Sequence, residues 1–279
     1  MEKRSLGGTG VKLSVVGFGG IMVMNEPSSS ASRMVAQAIE RGVNYFDVAP
    51  TYGNAEECLG PALNQYRESV FLACKTEKRT KDEAGAELRQ SLQRLHTDYL
   101  DLYQLHRVDP LEVDLVMGED GAIEALVEAR EQGLVKYLGF SAHSEEAALM
   151  LLDRFRFDTV LFPFNWVCWH QGRLGAKVLV KAQEKGVAVL ALKALAKRKL
   201  RKEEERRWPK CWYAPVENPD EASLALRFTL SLPVTAAVSP GHAELLRWAC
   251  DAVDQLKPLS AQEHALLAEK SQGLESIFP

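Results

Sequence analysis

The 279-residue sequence has no pair of cysteines in a C-x-x-C spacing, and its cysteine count is odd. The five are Cys58, Cys74, Cys168, Cys211 and Cys250. This pattern argues against a disulfide framework and is typical of reduced thiols in the cytosol. We therefore expect a cytoplasmic protein.

Long apolar runs and a basic excess are also missing. No apolar run reaches the roughly 18 residues that a membrane span needs, and the opening MEKRSLGGTG lacks the apolar core of a signal peptide. The formal net charge is −4, whereas proteins that bind nucleic acid usually carry a positive excess. These absences argue against nucleic-acid and membrane partners and favour a small-molecule substrate, while the oligomeric state stays undefined.

Strands and helices alternate along most of the chain. Three junctions have the same pattern of helix, glycine and apolar strand: ERGVNYFDVA (40–49), EQGLVKYLGFSA (131–142) and EKGVAVLAL (184–192). Gly42, Gly133 and Gly186 each occupy the position where a helix end requires a left-handed backbone, which glycine adopts without strain. This repeated sequence pattern predicts a series of βα units.

Eight short segments are apolar enough to be strands covered on both faces. They are residues 15–19, 45–48, 70–75, 100–106, 136–141, 159–164, 188–192 and 234–239. Eight such strands predict a (β/α)8 TIM barrel in one domain over residues 1–279, with an N-terminal β-hairpin at 3–13. An open doubly wound sheet is the alternative.

Polar side chains stand at the ends of three consecutive predicted strands. Asp47, Lys75 and His106 are 28 and 31 residues apart, which is one βα unit each. Barrel enzymes carry catalytic groups at the carboxyl ends of their strands, so these three should converge at one rim, with Tyr52 folding over it. A single ionisable residue at a strand end is often only a structural ion pair, but four with complementary chemistry favour a catalytic site.

The four residues form a coherent proton-transfer group. An ammonium beside a phenol favours the phenolate and lowers its pKa, so Lys75 would tune Tyr52 as a general acid. Asp47 would hold Lys75 charged and oriented, and His106 would hydrogen-bond the substrate carbonyl or assist the proton transfer. The group lacks a reductant, which a nicotinamide cofactor would supply.

The sequence resembles the aldo-keto reductase family over nearly its whole length. The motifs are RSLGGTGVKLSVVGFGG (4–20), NYFDVAPTYG (44–53), FLACKT (71–76) and LHTDYLDLYQLH (95–106). The resemblance implies a barrel that reduces a carbonyl with NADPH, with NADH not excluded. It also implies a catalytic tetrad of Asp47, Tyr52, Lys75 and His106, with Tyr52 as the proton donor.

The resemblance further assigns a cofactor site, with two departures at the nicotinamide end. Ser141 matches the family's serine beside the carboxamide. The family's asparagine is Ala142 here and its strand-six glutamine is Leu161, so two amide contacts are missing. We therefore expect weaker cofactor binding than is usual for the family.

The remaining cofactor contacts follow the seventh and eighth strands. Leu192 stands where the family often has a ring that stacks on the nicotinamide, and Lys193 could meet the pyrophosphate. Ser239, Gly241 and His242 are the candidates at the adenine end.

Two other functions compete with this one. A metal-dependent barrel hydrolase or isomerase could use Asp47, His106 and His143 as ligands, although Lys75 would repel the metal. A regulatory subunit of the same fold would bind cofactor with little turnover. The long 193–219 connection and the tryptophans near it either line a pocket or pack onto the barrel.

Overall fold

A computed structural model of the protein describes residues 1–278. Its strands are β1 (Lys3–Ser5), β2 (Lys12–Ser14), β3 (Val16–Gly19), β4 (Tyr45–Asp47), β5 (Phe71–Thr76), β6 (Leu100–Leu105), β7 (Val135–Ser141), β8 (Thr159–Pro163), β9 (Ala188–Leu192), β10 (Ala196–Lys199), β11 (Tyr213–Pro215) and β12 (Ala236–Val238). Eight of them form a closed parallel barrel in the order β12-β3-β4-β5-β6-β7-β8-β9. The predicted TIM barrel is therefore confirmed, and the open sheet is excluded.

Helices alternate with the barrel strands and cover them. They are α1 (Ser28–Glu40), α2 (Ala55–Leu63), α3 (Lys81–Arg94), α4 (Val113–Met117), α5 (Ala122–Glu131), α6 (Glu145–Arg154), α7 (Trp166–Gly172), α8 (Ala176–Lys185), α9 (Pro219–Ser231), α10 (Ala243–Asp254) and α11 (Ala261–Ser271). Across residues 1–278, no helix is both long enough and apolar enough to cross a bilayer.

The glycine junctions behave as the sequence predicts. Gly42, Gly133 and Gly186 have φ angles of 84°, 75° and 69°. Each ends a helix in the left-handed region, which an L side chain adopts only with strain. The following strand therefore starts at a fixed angle against the helix before it, which sets the repeated βα geometry.

The N-terminal hairpin closes the barrel at the end opposite the predicted site. Strands β1 and β2 pair antiparallel, and Leu6 and Leu13 beside them are fully buried. Both pack in a cluster with Tyr45 and Phe71, which begin β4 and β5. The hairpin thus seals the amino-terminal mouth with apolar side chains and leaves the carboxyl mouth open.

The long connection after β9 both packs onto the barrel and lines its mouth. Its strands β10 and β11 form an antiparallel ribbon, and between them Trp208 is buried against Trp248, with ring centroids 6.0 Å apart. Trp212 is 48% exposed and faces the open mouth. The two alternatives left by the sequence thus apply to different residues of one segment.

Candidate active site

The four tetrad residues line one cavity of about 580 Å³ at the carboxyl mouth of the barrel. Asp47 ends β4, Lys75 lies one residue before the end of β5, and His106 directly follows β6. Because β4, β5 and β6 are neighbours in the parallel barrel, their carboxyl ends present these side chains to the same space. Tyr52 reaches it from the turn after β4.

Lys75 and Asp47 form a buried ion pair at the floor of the cavity. The Lys75 ammonium also donates to the carbonyl oxygen of Val48 at 3.1 Å. Asp47 accepts two further hydrogen bonds, from the Tyr45 hydroxyl at 3.2 Å and the Gln104 amide at 3.3 Å. Burial lowers the pKa of Lys75, but the charge of Asp47, its hydrogen bond and the neighbouring Tyr52 and Cys74 together outweigh burial and the net pKa is raised, so the ammonium stays charged.

Tyr52 keeps its proton at neutral pH. Burial raises the pKa of its phenol, and the charge of Lys75, whose Nζ lies 5.4 Å from the ring centroid, works against that rise. The Lys75 charge lowers the pKa of Tyr52, as the sequence predicts. The predicted net lowering of this pKa is wrong, because desolvation of the phenol outweighs the charge. A partly buried, protonated phenol beside a fixed ammonium has a proton to donate and a charge that stabilises the phenolate left behind.

His106 presents an uncharged imidazole to the same space. Its ring lies edge-on to Tyr52, with centroids 6.0 Å apart and planes at 85°. Burial, and then the charges of Lys75 and Arg107, lower the pKa of His106 to about 2. A neutral imidazole can donate a hydrogen bond to a carbonyl oxygen without competing with Tyr52 to release a proton.

Ser141 is buried at the end of β7, where its hydroxyl accepts a hydrogen bond from the main-chain N–H of Arg107 at 2.9 Å. The hydroxyl proton is left free to donate to a ligand in the cavity. Leu161 lines the same wall, and Ala142 beside Ser141 is fully buried. Neither can supply the amide hydrogen bonds that the sequence analysis noted as missing.

The strand ends on the other side of the mouth carry the remaining cofactor candidates. Leu192, Lys193, Ser239 and Gly241 all line the cavity. The Lys193 ammonium lies 4.9 Å from the Tyr213 ring centroid, and burial lowers its pKa to about 8. A Cβ on Gly241 would lie 3.0 Å from both Ile21 and Lys210, so a side chain there would crowd the cavity.

His242 does not belong to the cavity wall. It is the N-cap residue of α10 and is absent from the residues that line the cavity. Its role at the adenine end stays a prediction.

Several lining residues escaped the sequence analysis. Arg107 and Glu77 flank His106, and the Glu77 carboxylate lies 3.5 Å from His106 Nδ1. Phe278 packs against His143 with ring centroids 4.7 Å apart and planes tilted by 36°. Position next to a strand end is a local signal that could have indicated Arg107 and Glu77, but no local pattern indicates that Phe278 reaches the mouth.

The structure gives no support to the metal-dependent alternative. Within residues 1–278, no group of three or more histidine, cysteine, aspartate or glutamate side chains is placed to hold a metal ion.

The cavity suits a nicotinamide dinucleotide in the chemistry of its wall. A hydroxyl with a free proton stands at Ser141 and an ammonium stands at Lys193, and both line the cavity. Hydroxyl and ammonium donors are the groups that hold carboxamides and phosphates.

Comparison with known proteins gives the same fold and one family. The chain is 35% identical over 158 residues to the uncharacterized oxidoreductase YqkF of Bacillus subtilis, covering 51% of this chain and 49% of that protein. It is 32% identical over 188 residues to the aldo-keto reductase YhdN of Bacillus subtilis, covering 59% and 54%. The chain thus spans about half the length of these curated relatives.

A solved structure resembles nearly the whole chain. The holo form of the aldo-keto reductase AKR11C1 from Bacillus halodurans matches with a TM-score of 0.77 and 25% identity, covering 99% of this chain and 98% of that one. The model of the Aldo/keto reductase family matches residues 15–264. With the closed barrel and the family motifs at its mouth, the chain belongs to the aldo/keto reductase family.

Proposed function

We propose that the protein reduces an aldehyde or ketone to an alcohol with a nicotinamide cofactor, using Tyr52 as general acid. The observation that carries the proposal is one cavity holding a protonated phenol, a charged Lys75 paired with Asp47, and a neutral His106. The reaction requires one proton at the carbonyl oxygen, and Tyr52 is the partly buried acid beside a charge that stabilises its anion.

Each member of the tetrad has a separate task in this scheme. His106 donates a hydrogen bond to the substrate carbonyl oxygen and holds it near the Tyr52 hydroxyl. Tyr52 transfers its proton to that oxygen as negative charge develops there. Lys75 stabilises the resulting phenolate, and Asp47 keeps Lys75 charged and oriented. The proton of Tyr52 is then replaced from solvent.

The cofactor would lie along the wall from Ser141 to Gly241. Ser141 would hold the carboxamide, Leu192 would pack on the nicotinamide ring, and Lys193 with Ser239 would meet the phosphates. When bound, the dihydronicotinamide supplies the hydride that adds to the carbonyl carbon and is itself oxidised. NADPH is the expected form, and NADH remains the alternative.

The test is a screen for consumption of NADPH and of NADH across aldehydes, ketones and quinones. Multiple turnovers that consume one cofactor per alcohol formed would support the proposal, with Tyr52→Phe as the inactive control. Stoichiometric cofactor binding without turnover on any carbonyl would overturn it and favour a regulatory subunit.

A further inference from the structure

Two cations at the cavity wall have no close anionic partner. Among the described residues 1–278, the Lys193 ammonium makes no hydrogen bond or ion pair. The Arg107 guanidinium makes no hydrogen bond in that range either, and its one ionic contact is loose, at 3.5 Å from Glu77. A guanidinium with its donors unused is ready to bind an anion that enters the cavity.

The other two cations of the same wall are neutralised. Lys75 pairs with Asp47. Lys210 donates to the Glu26 carboxylate at 2.7 Å and to the carbonyl oxygen of Met22 at 2.6 Å. Only Arg107 and Lys193, among the four cations of this wall, therefore lack a close anionic partner within residues 1–278.

The barrel topology separates the two cations. Lys193 follows β9, which is the neighbour of β12, and Ser239 follows β12. Arg107 follows β6, which is separated from β12 by three strands in either direction around the barrel. Lys193 thus lies on the side assigned to the cofactor phosphates. Arg107 lies across the mouth from them and next to the catalytic His106.

The backbone of Arg107 is held in an unusual conformation that sets the direction of its side chain. Its φ angle is 52°, in the left-handed region that non-glycine residues seldom adopt without support. The support comes from two neighbours: the Arg107 N–H donates to Ser141 Oγ at 2.9 Å, and Arg79 Nη2 donates to the Arg107 carbonyl oxygen at 3.4 Å. The guanidinium then projects into the mouth with 60% of the side chain exposed.

Flat apolar side chains line the mouth near the two cations. Phe278 packs against the tilted ring of His143, and the ring centroids of Trp212 and Phe278 are 5.8 Å apart. His143 adds no charge there at neutral pH, because burial and the charges of Lys193 and Arg107 lower its pKa to about 4. A planar substrate would pack on this wall with its carbonyl at Tyr52. An anionic group at the other end of such a substrate would then meet a cation of the wall.

We propose that this site reduces carbonyl compounds that also carry a carboxylate, and that Arg107 binds that carboxylate during turnover. The inference rests on the proposed function, since it names the substrate class of the same site. A guanidinium fork binds a carboxylate through two parallel hydrogen bonds, which adds orientation to charge. The carboxylate itself is unchanged by the reaction.

The experiment compares 4-formylbenzoate with its methyl ester, two aldehydes that differ in charge at one end. We expect kcat/KM for the acid to exceed that for the ester by about tenfold or more, the scale of a charge-assisted hydrogen bond. Arg107→Met should reduce this ratio to near one, while Arg107→Lys should retain part of it. Added salt should lower the ratio, because the guanidinium is exposed to solvent.

Arg173→Met is the matched control. Arg173 has a φ angle of 53°, close to that of Arg107, but packs on Trp169 outside the cavity. It should keep the wild-type ratio, and the melting temperature of each variant reports any loss of folding. Reduction of the ester as fast as the acid by the wild type overturns the inference and leaves the proposed function standing. Failure to reduce either aldehyde overturns the inference, and it overturns the proposed function as well only if the screen across aldehydes, ketones and quinones also shows no turnover.

Discussion

The guanidinium of Arg79 donates a hydrogen bond to the main-chain carbonyl oxygen of His106 at 3.0 Å. The same nitrogen lies 2.8 Å from the Glu112 carboxylate, which orients it. From the other side, the His106 N–H donates to the carbonyl oxygen of Thr76 at 2.8 Å. The segment at His106, directly after β6, is therefore fixed by contacts from the end of β5, the loop after β5 and the turn after β6.

This contact makes Arg79 a positioning residue for His106. Arg79→Met removes the hydrogen bond and should let the His106 segment move by a fraction of an ångström, and kcat/KM should fall by about 10- to 100-fold. A double-mutant cycle with His106→Gln measures the coupling. The fold loss in the double variant should be smaller than the product of the two single losses, since both substitutions weaken the same contact between His106 and the substrate carbonyl.

Arg130→Met is the control for this prediction, because Arg130 is exposed at the end of α5. Arg130→Met should leave kcat/KM unchanged, and its effect should be additive with that of His106→Gln. Additive losses in the cycle would show that Arg79 stabilises the fold without acting through His106.

The pair Tyr52 and Lys75 gives a second prediction. Tyr52→Phe removes one hydroxyl and little volume, so the melting temperature and cofactor affinity should hold while carbonyl reduction falls about 100-fold or more. Lys75→Met should also impair turnover, because the phenolate loses its stabilising charge. It should shift the optimum to lower pH, where solvent supplies the proton. Near-full turnover in Tyr52→Phe would remove Tyr52 from the role of general acid.

The buried histidines predict how stability depends on pH. In the folded chain the pKa is lowered to about 2 at His106 and to about 4 at His143, in both cases first by burial. The unfolded chain, with an ordinary histidine pKa of about 6.5, binds more protons below that pH. The free energy of unfolding should therefore fall as pH decreases from about 6.5 toward 4, by up to about 1.4 kcal/mol per pH unit for each histidine.

Urea unfolding at several pH values tests this with one variant and one control. His143→Gln should flatten the decline between about pH 6.5 and 4. His264→Gln, at an exposed position on α11, should leave it unchanged. If the free energy of unfolding falls with pH equally steeply in the wild type and in His143→Gln, His143 binds its proton as readily in the folded chain as in the unfolded chain.

The sequence predicted the barrel and the placement of the tetrad because both depend on local patterns. Glycine at 42, 133 and 186 marks helix ends, and carboxyl ends of neighbouring parallel strands must meet, so Asp47 and Lys75 had to converge. The predicted direction of the Tyr52 pKa shift was wrong, because burial of the phenol depends on all the segments that surround the carboxyl mouth of the barrel. Phe278 was missed because its contact with His143 spans distant parts of the chain.

The position of Leu161 predicts how cofactor affinity can be raised. Leu161 is 2% exposed and lines the cavity from the middle of β8, paired with Ser141 on β7. Leu161→Gln places an amide where the wall now offers only methyl groups, and an added hydrogen bond contributes about 1 kcal/mol, or roughly fivefold in affinity. Fluorescence titration with NADPH measures the gain. Leu161→Met, of similar volume and without an amide, should bind as the wild type does. Equal affinities in the glutamine and methionine variants would show that the carboxamide does not lie against this strand end.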